Sequence, residues 1–236
     1  MKITTVLFDL DGTLLPMDQE KFIRAYMGCL AEHMAPYGYE PDKLLKTIWA
    51  STGSMVQNNT GRPNEEIFWE CMAKAYGPDI RQEEPKFDEF YKVSFHKVQQ
   101  SCGYTPMAAK VIAACKDKGL QIALATNPFF PATATHQRIG WAGVKKEDFS
   151  LITTYENSHA CKPNPAYYHE VLEKLGVSPA ECLMVGNDVQ EDMMTRQLGL
   201  SVFLLTPCLI NRENADITQY PHGDFERLLE YIHALD

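Results

Sequence analysis

Asp9-Leu10-Asp11-Gly12-Thr13 follows directly on the apolar run Thr4-Thr5-Val6-Leu7-Phe8, so two carboxylates stand one residue apart at the end of a buried segment. In an extended strand neighbouring side chains point to opposite faces, and residues i and i+2 share one face. Asp9 and Asp11 therefore converge if the chain stays extended through that step. Like charges held so close repel, and burial strengthens the repulsion, so a bound cation or a shared proton must offset it. Gly12 permits a tight or left-handed backbone step, and Thr13 offers a short hydroxyl to tie the turn. The plain alternative is a capped turn, because Asp, Gly and Thr are all ordinary turn residues.

Other apolar runs end in residues of matching chemistry. Thr126-Asn127 closes one, Lys162 lies in the loop 155–162 after another, and Gly186-Asn187-Asp188 closes a third, with Asp192 four residues beyond Asp188. A carboxylate can act as nucleophile and form an acyl phosphate. A second can protonate the leaving oxygen and then activate water. Mg²⁺ takes oxygen ligands and keeps several waters, so two or three carboxylates and a carbonyl suffice for it. A lysine and a hydroxyl can hold phosphoryl oxygens where charge sits in the transition state. Together these types support phosphoryl transfer through a covalent intermediate. Singly, Lys162 reads as a solvated lysine, Asp192 as a helix-face charge and Thr126-Asn127 as a strand-ending turn; only their coincidence in order along the chain carries the reading.

The elements that must position them are five buried strands, at Ile3–Phe8, Leu120–Ala125, Phe149–Thr153, Cys182–Val185 and Leu200–Leu205. Most are continuous apolar runs, as in parallel strands covered on both faces. Helical patterns lie between and after them, at 131–139, 165–175, 190–198 and from Phe225 onward. Alternating strands and helices predict an α/β fold with a doubly wound, Rossmann-like parallel sheet, and ligands of such sheets bind beyond the carboxyl ends of the strands. One connection is too long: about 110 residues separate Asp9 from Leu120, against about 30 for a complete βαβ unit. A helix over 105–118 serves as the crossover, and residues 16–102 read as an inserted helical unit. The division expected is a core of 1–15 and 103–236 with a small α-helical domain at 16–102. Phe22, Tyr26, Leu30 and Met34 stripe its first helix, Phe87, Phe90, Tyr91, Phe95 and Val98 its last, and two more fit at 42–50 and 64–76. The joins near Leu15-Pro16 and Ser101-Cys102-Gly103 are the expected hinges.

On these motifs the chain resembles the haloacid dehalogenase superfamily, predominantly Mg²⁺-dependent phosphatases and phosphomutases. All four of the family's motifs find a match across the core. The resemblance implies that Asp9 is the nucleophile and a metal ligand, and that Asp11 is the general acid/base whose backbone carbonyl also ligates Mg²⁺. Thr126 matches the hydroxyl of the second motif, with Asn127 beside it, and Lys162 in Lys162-Pro163-Asn164-Pro165 matches the lysine of the third. At the fourth, many relatives read Gly-Asp directly; here Asn187 intervenes, so Asp188 is assigned as the Mg²⁺ ligand and Asp192 as a nearby or water-mediated partner, with the reverse assignment left open. Gly12, Thr13 and Asn127 are candidate phosphate contacts. The insertion resembles a C1-type cap, whose Ser51–Ser54 and Asn58–Arg62 segments are candidate site-facing loops, and Arg62 a candidate contact for an anionic substrate. A solvated helix-joining turn is the competing reading of both segments.

A net charge of −9 offers no basic stripe for nucleic acid. Seven scattered cysteines without a CxxC pair, and no basic-then-apolar leader, lead us to expect reduced thiols in a cytoplasmic protein. No apolar run is long enough for a membrane span. The seven histidines show neither HxH nor HxxxH spacing, against a zinc site, and no P-loop sequence occurs. The reading is a Mg²⁺-dependent phosphatase acting on a small phosphorylated metabolite. Within the fold, a phosphomutase of the β-phosphoglucomutase type and a phosphonate-cleaving relative using Lys43, Lys46 or Lys74 are the alternatives, and outside catalysis a phosphate-binding module. A carboxylate at Asp11 argues against dehalogenation, since dehalogenase relatives lack one there.

Overall fold

The computed structural model describes residues 2–235. Its sheet is built from β1 (Thr5–Phe8), β2 (Gln121–Leu124), β3 (Leu151–Ile152), β4 (Cys182–Gly186), β5 (Ser201–Leu205) and β6 (His222–Gly223), in the order β3-β2-β1-β4-β5-β6. All neighbours are parallel. This is the Rossmann-like arrangement expected. Because strand side chains alternate, Val6 and Phe8 pack with Val111, Cys115, Leu228 and Ile232 on one face, while Leu7 packs with Tyr167, Val171 and Leu172 on the other. These partners come from helices α5 (Met107–Asp117), α7 (Pro165–Leu175) and α8 (Phe225–His233).

Register then fixes the site. Phe8 lies beside Leu124 and Val185, so Asp9, the segment 125–127 and the segment 186–188 leave the sheet at one level. Two strands depart from expectation. β3 has only two residues, and β6, exposed and lacking an apolar run, carries no periodic signal. The expected helix over 190–198 is instead a turn followed by a 3-10 stretch, Met193–Leu198. The Asp188 carboxylate accepts from the amides of Gln190 and Glu191, both at 2.9 Å, which tightens the chain before a regular helix can start.

Between β1 and α5 run α1 (Gln19–Met34), α2 (Pro41–Val56), α3 (Asn64–Tyr76) and α4 (Glu84–Val93), then a 3-10 stretch, Phe95–Ser101. The two connecting segments lie side by side: Met17 and Cys102 form an antiparallel bridge, and the Gly103 amide donates to the Pro16 carbonyl at 2.7 Å. The Ser51–Ser54 segment is not a loop. It continues α2, with the Thr52 and Ser54 hydroxyls donating to the carbonyls of Ile48 and Ala50 one turn back in the helix. Among the described residues no helix is long and apolar enough to cross a membrane, and all seven cysteines are free.

The first turn of α3 docks on the loop after β3. The amides of Asn64 and Glu65 donate to the carbonyls of Ser158 and Tyr155 at 2.8 and 2.9 Å. The buried Asn64 side chain donates to the Ala160 carbonyl at 3.1 Å and accepts from Asn58 at 2.9 Å. Asn64→Ala removes these bonds while leaving buried partners behind, and should cost about 1–3 kcal/mol in urea unfolding.

Candidate active site

The carboxyl edge of the sheet faces a cavity of about 250 Å³ beneath the inserted helices, lined by Asp9, Asp11, Thr126, Asn127, Asp188 and Asp192 among others. At its base lies Lys162, buried, whose Nζ is 2.9 Å from Asp9 Oδ1 and 2.7 Å from Asp192 Oδ1. Burial alone would lower the lysine's pKa, but the carboxylates of Asp192 and Asp9 outweigh it and hold the ammonium charged, well above the ordinary lysine value. The other Asp9 oxygen accepts from the Thr13 hydroxyl at 3.1 Å, and that hydroxyl is also 3.0 Å from Asn187 Oδ1.

Two glycines make this packing feasible. Gly12, at φ +87°, brings its backbone against Asn187, where a Cβ would come within 2.4 Å of the side-chain amide. A Cβ on Gly186 would lie 2.1 Å from Asp192 Oδ2. That oxygen accepts from the Asp188 amide at 3.1 Å, so both Asp192 oxygens are engaged by buried donors. Asp188 differs: its Oδ2 accepts from Arg212 at 2.5 Å, and this arginine is half exposed.

Asp11 has a partner the spacing of the sequence did not reveal. Its Oδ2 pairs with Nη1 of Arg138, a fully buried arginine of α6 (Ala132–Trp141), while Oδ1 is buried with no partner. Arg138 is held by the Thr135 hydroxyl at 3.3 Å and by the Phe130 ring, 4.3 Å from the guanidinium carbon. Burial pushes the Asp11 carboxyl above its ordinary pKa against the opposing pull of Arg138, and the Asp9 charge adds to the rise. Glu191 is likewise raised by burial; it accepts from Asn127 Nδ2 at 3.0 Å. Arg138 was legible in principle, since it shares the apolar face of its helix with Ala134 and Ile139; Arg212 sits in a polar loop that gives no such sign.

Arg62, expected to meet substrate, does not line the cavity. It extends along α3 to Glu66 and Glu70, at 2.9 and 2.7 Å, because two carboxylates one and two turns along the helix lie nearer than the site. Its loop is a turn, tied by Asn58 to the Arg62 carbonyl at 2.8 Å.

Among the described residues no three His, Cys, Asp or Glu side chains cluster tightly enough to hold a metal by themselves. The donor chemistry nevertheless suits a hard cation. Five carboxylates of the floor (Asp9, Asp11, Asp188, Glu191 and Asp192) and Asp88 of the roof face the cavity, against three cations, Arg212, Arg138 and Lys162. The excess of negative charge and the oxygen donors of Asp9 and Asp188 fit Mg²⁺, which needs few protein ligands because it keeps its waters.

A sheet of this order with paired aspartates at the end of β1 defines a class of hydrolase, and comparison with known proteins specifies the class. The model for haloacid dehalogenase-like hydrolases matches residues 3–199; the chain belongs to that family and is a hydrolase. YhcW of Bacillus subtilis, provisionally named a phosphatase, is 26% identical over 205 residues, 86% of this chain and 83% of its own. Pyrophosphatase PpaX of Bacillus cereus is 27% identical over 192 residues, covering 80% and 76%. Among solved structures, a phosphatase of the same family from Thermococcus onnurineus aligns with TM-score 0.61 at 18% identity, and a 2-haloacid dehalogenase from Pseudomonas syringae with 0.65 at 19%, each covering 98% of both chains. At these identities the two structures attest the fold alone.

Breaking the Arg138–Asp11 pair from the arginine side leaves a carboxylate without its partner. Arg138→Met should destabilise the protein by about 3–5 kcal/mol in thermal or urea unfolding if Asp11 stays charged. Asp11→Asn in the Arg138→Met background should recover part of that loss.

Proposed function

We propose that this hydrolase is a Mg²⁺-dependent phosphatase that cleaves a small phosphate monoester through an aspartyl-phosphate on Asp9. The observation that carries the reading is the pair of aspartates on one cavity wall with separate partners, Lys162 on Asp9 and Arg138 on Asp11. Asp9 attacks phosphorus, the bond from phosphorus to the ester oxygen breaks, and Asp11 gives its proton to the departing alkoxide. Water then attacks the phosphoryl group, Asp11 takes a proton from it, and inorganic phosphate leaves with Asp9 restored. Lys162 fixes the Asp9 carboxylate and Arg138 fixes the Asp11 carboxyl, so neither has to be oriented during the reaction. Thr126 and Asn127 line the same wall and hold phosphoryl oxygens. Asp9, the Asp11 carbonyl and Asp188 would hold Mg²⁺, which when bound neutralises phosphoryl charge. Asp188 is preferred to Asp192 for this role because half-exposed Arg212 can swing off it, whereas buried Lys162 cannot leave Asp192. The inserted helices serve as the cap that excludes water from the acyl phosphate. The free thiols fit a reducing, cytoplasmic setting.

A phosphonate-cleaving activity would need an insertion lysine at the site. None lines the cavity: Lys43 lies over the Tyr76 ring and Lys74 beside Glu70.

Phosphate release from a broad panel of monoesters, with and without Mg²⁺, tests the reading. Turnover should vanish with EDTA and return with Mg²⁺. Asp9→Asn should lower it at least about a thousandfold and Asp11→Asn about 10²–10⁴-fold, both with unchanged circular dichroism. Absence of turnover on every ester would refute the reading, and isomer exchange outpacing phosphate release would make the enzyme a mutase.

A further inference from the structure

The cavity has two unlike halves, and this contrast carries a conclusion about the substrate. Its floor is the polar rim of the sheet. Its roof, from α1 to α4, presents Phe22, Ile23, Met27, Ile48, Trp49 and Trp69. No lysine, arginine or histidine of the insertion reaches it; the charged side chain the insertion does present is Asp88. The roof's tyrosines, Tyr26 and Tyr91, are bonded to each other at 3.0 Å, and Thr52 donates to its own helix at Ile48. Polar capacity above the floor is therefore small, the partnerless indole N–H of Trp69 and the Gln19 amide being the uncharged groups that remain.

We propose that the ester's alcohol portion is a single uncharged, apolar group about the size of one aromatic ring, and that a second anionic group or a polyhydroxylated body is rejected. This rests on the phosphatase reading for the chemistry, and on the roof alone for the choice of substrate. Size agrees. A void of about 150 Å³ accommodates benzene, so a cavity of about 250 Å³ holds a ring together with a phosphoryl group. Energetics point the same way. A ring gains by leaving water for this roof, whereas each sugar hydroxyl would lose its hydrogen bonds to water without replacement. A second carboxylate or phosphate that reached the roof would meet Asp88 and no cation there, since Arg212, the cation that does line the cavity, belongs to the floor.

The test compares unactivated esters, so that leaving-group reactivity does not mimic recognition: benzyl phosphate against glycerol 3-phosphate, phosphoglycolate, glucose 6-phosphate and, as a dianionic control, pyrophosphate. Benzyl phosphate should exceed the other esters by roughly 30-fold or more in kcat/KM, the worth of burying one ring. Benzylphosphonate, which cannot turn over, should bind more tightly than phosphonoacetate in calorimetry with the Mg²⁺-loaded protein. Met27→Lys, at a partly exposed roof position, should narrow or invert the preference towards phosphoglycolate. Equal or reversed rates among the esters, with phosphate released, would overturn the apolar assignment and leave the phosphatase intact. No turnover, but a clear preference for benzylphosphonate, would sink the phosphatase reading and keep the apolar site. Equal binding of the two phosphonates would overturn the assignment whatever the kinetics.

Discussion

A single ammonium group, that of Lys162, lies between the carboxylates of Asp9 and Asp192, and the surrounding structure is arranged to keep it there. Burying an ion costs several kcal/mol unless its partners are close and its hydrogen bonds are made. Here the ion and its two partners come from three separate places: Lys162 from the loop after β3, Asp9 from the end of β1 and Asp192 from the turn after β4. Each must arrive within hydrogen-bond distance of one nitrogen. Gly186 has no side chain because the Asp192 carboxylate occupies the space where a Cβ would be. The lysine's loop is in turn pinned by Asn58, in the turn before α3, and by Asn64 at the start of that helix. Displacing the lysine would leave two buried carboxylates facing a rim that already carries more negative than positive charge.

Arg138 is the counterpart of that device on the neighbouring aspartate. The two residues of the opening pair are kept apart electrically by being given different cations, one from the loop after β3 and one from α6. The pairing also gives them different environments. Each Asp9 oxygen accepts one side-chain hydrogen bond, from Lys162 and from Thr13, whereas Asp11 keeps one buried oxygen without a partner. Repulsion between two like charges thus becomes a functional asymmetry, one carboxylate fixed and the other with an oxygen in reserve.

The floor and roof of the cavity obey different constraints. The floor must place charges to within tenths of an ångström, and it is made of strand ends, whose positions the ladder of backbone hydrogen bonds sets. The roof is made of helices whose aromatic stripes also join the hydrophobic core that continues to the sheet. Phe130, on the core, touches both: it lies over Arg138 and packs edge-on against Tyr26 of α1. Packing of α1 and orientation of Asp11 therefore share a residue.

The local, periodic features were legible in the sequence. Continuous apolar runs marked the longer strands, the 3.6-residue stripes marked helices between β1 and β2, and the distance from Asp9 to Leu120 showed that this connection is longer than one crossover. The polar residues at the strand ends could be collected because a parallel sheet delivers all its carboxyl ends to one side. What only the tertiary structure decided were pairings between residues far apart in the chain. Arg138 lies 127 positions from Asp11 and Arg212 lies 24 from Asp188, and neither spacing follows a period. Arg62 shows the same limit in reverse: its loop suggested a site residue, and two glutamates of the helix that follows pair with it. β6 was missed because two exposed residues carry no pattern. Periodicity reports which face of an element is buried, and that information is local. Which charge meets which across the rim depends on the register of strands and the docking of helices, and these exist only once the chain has folded.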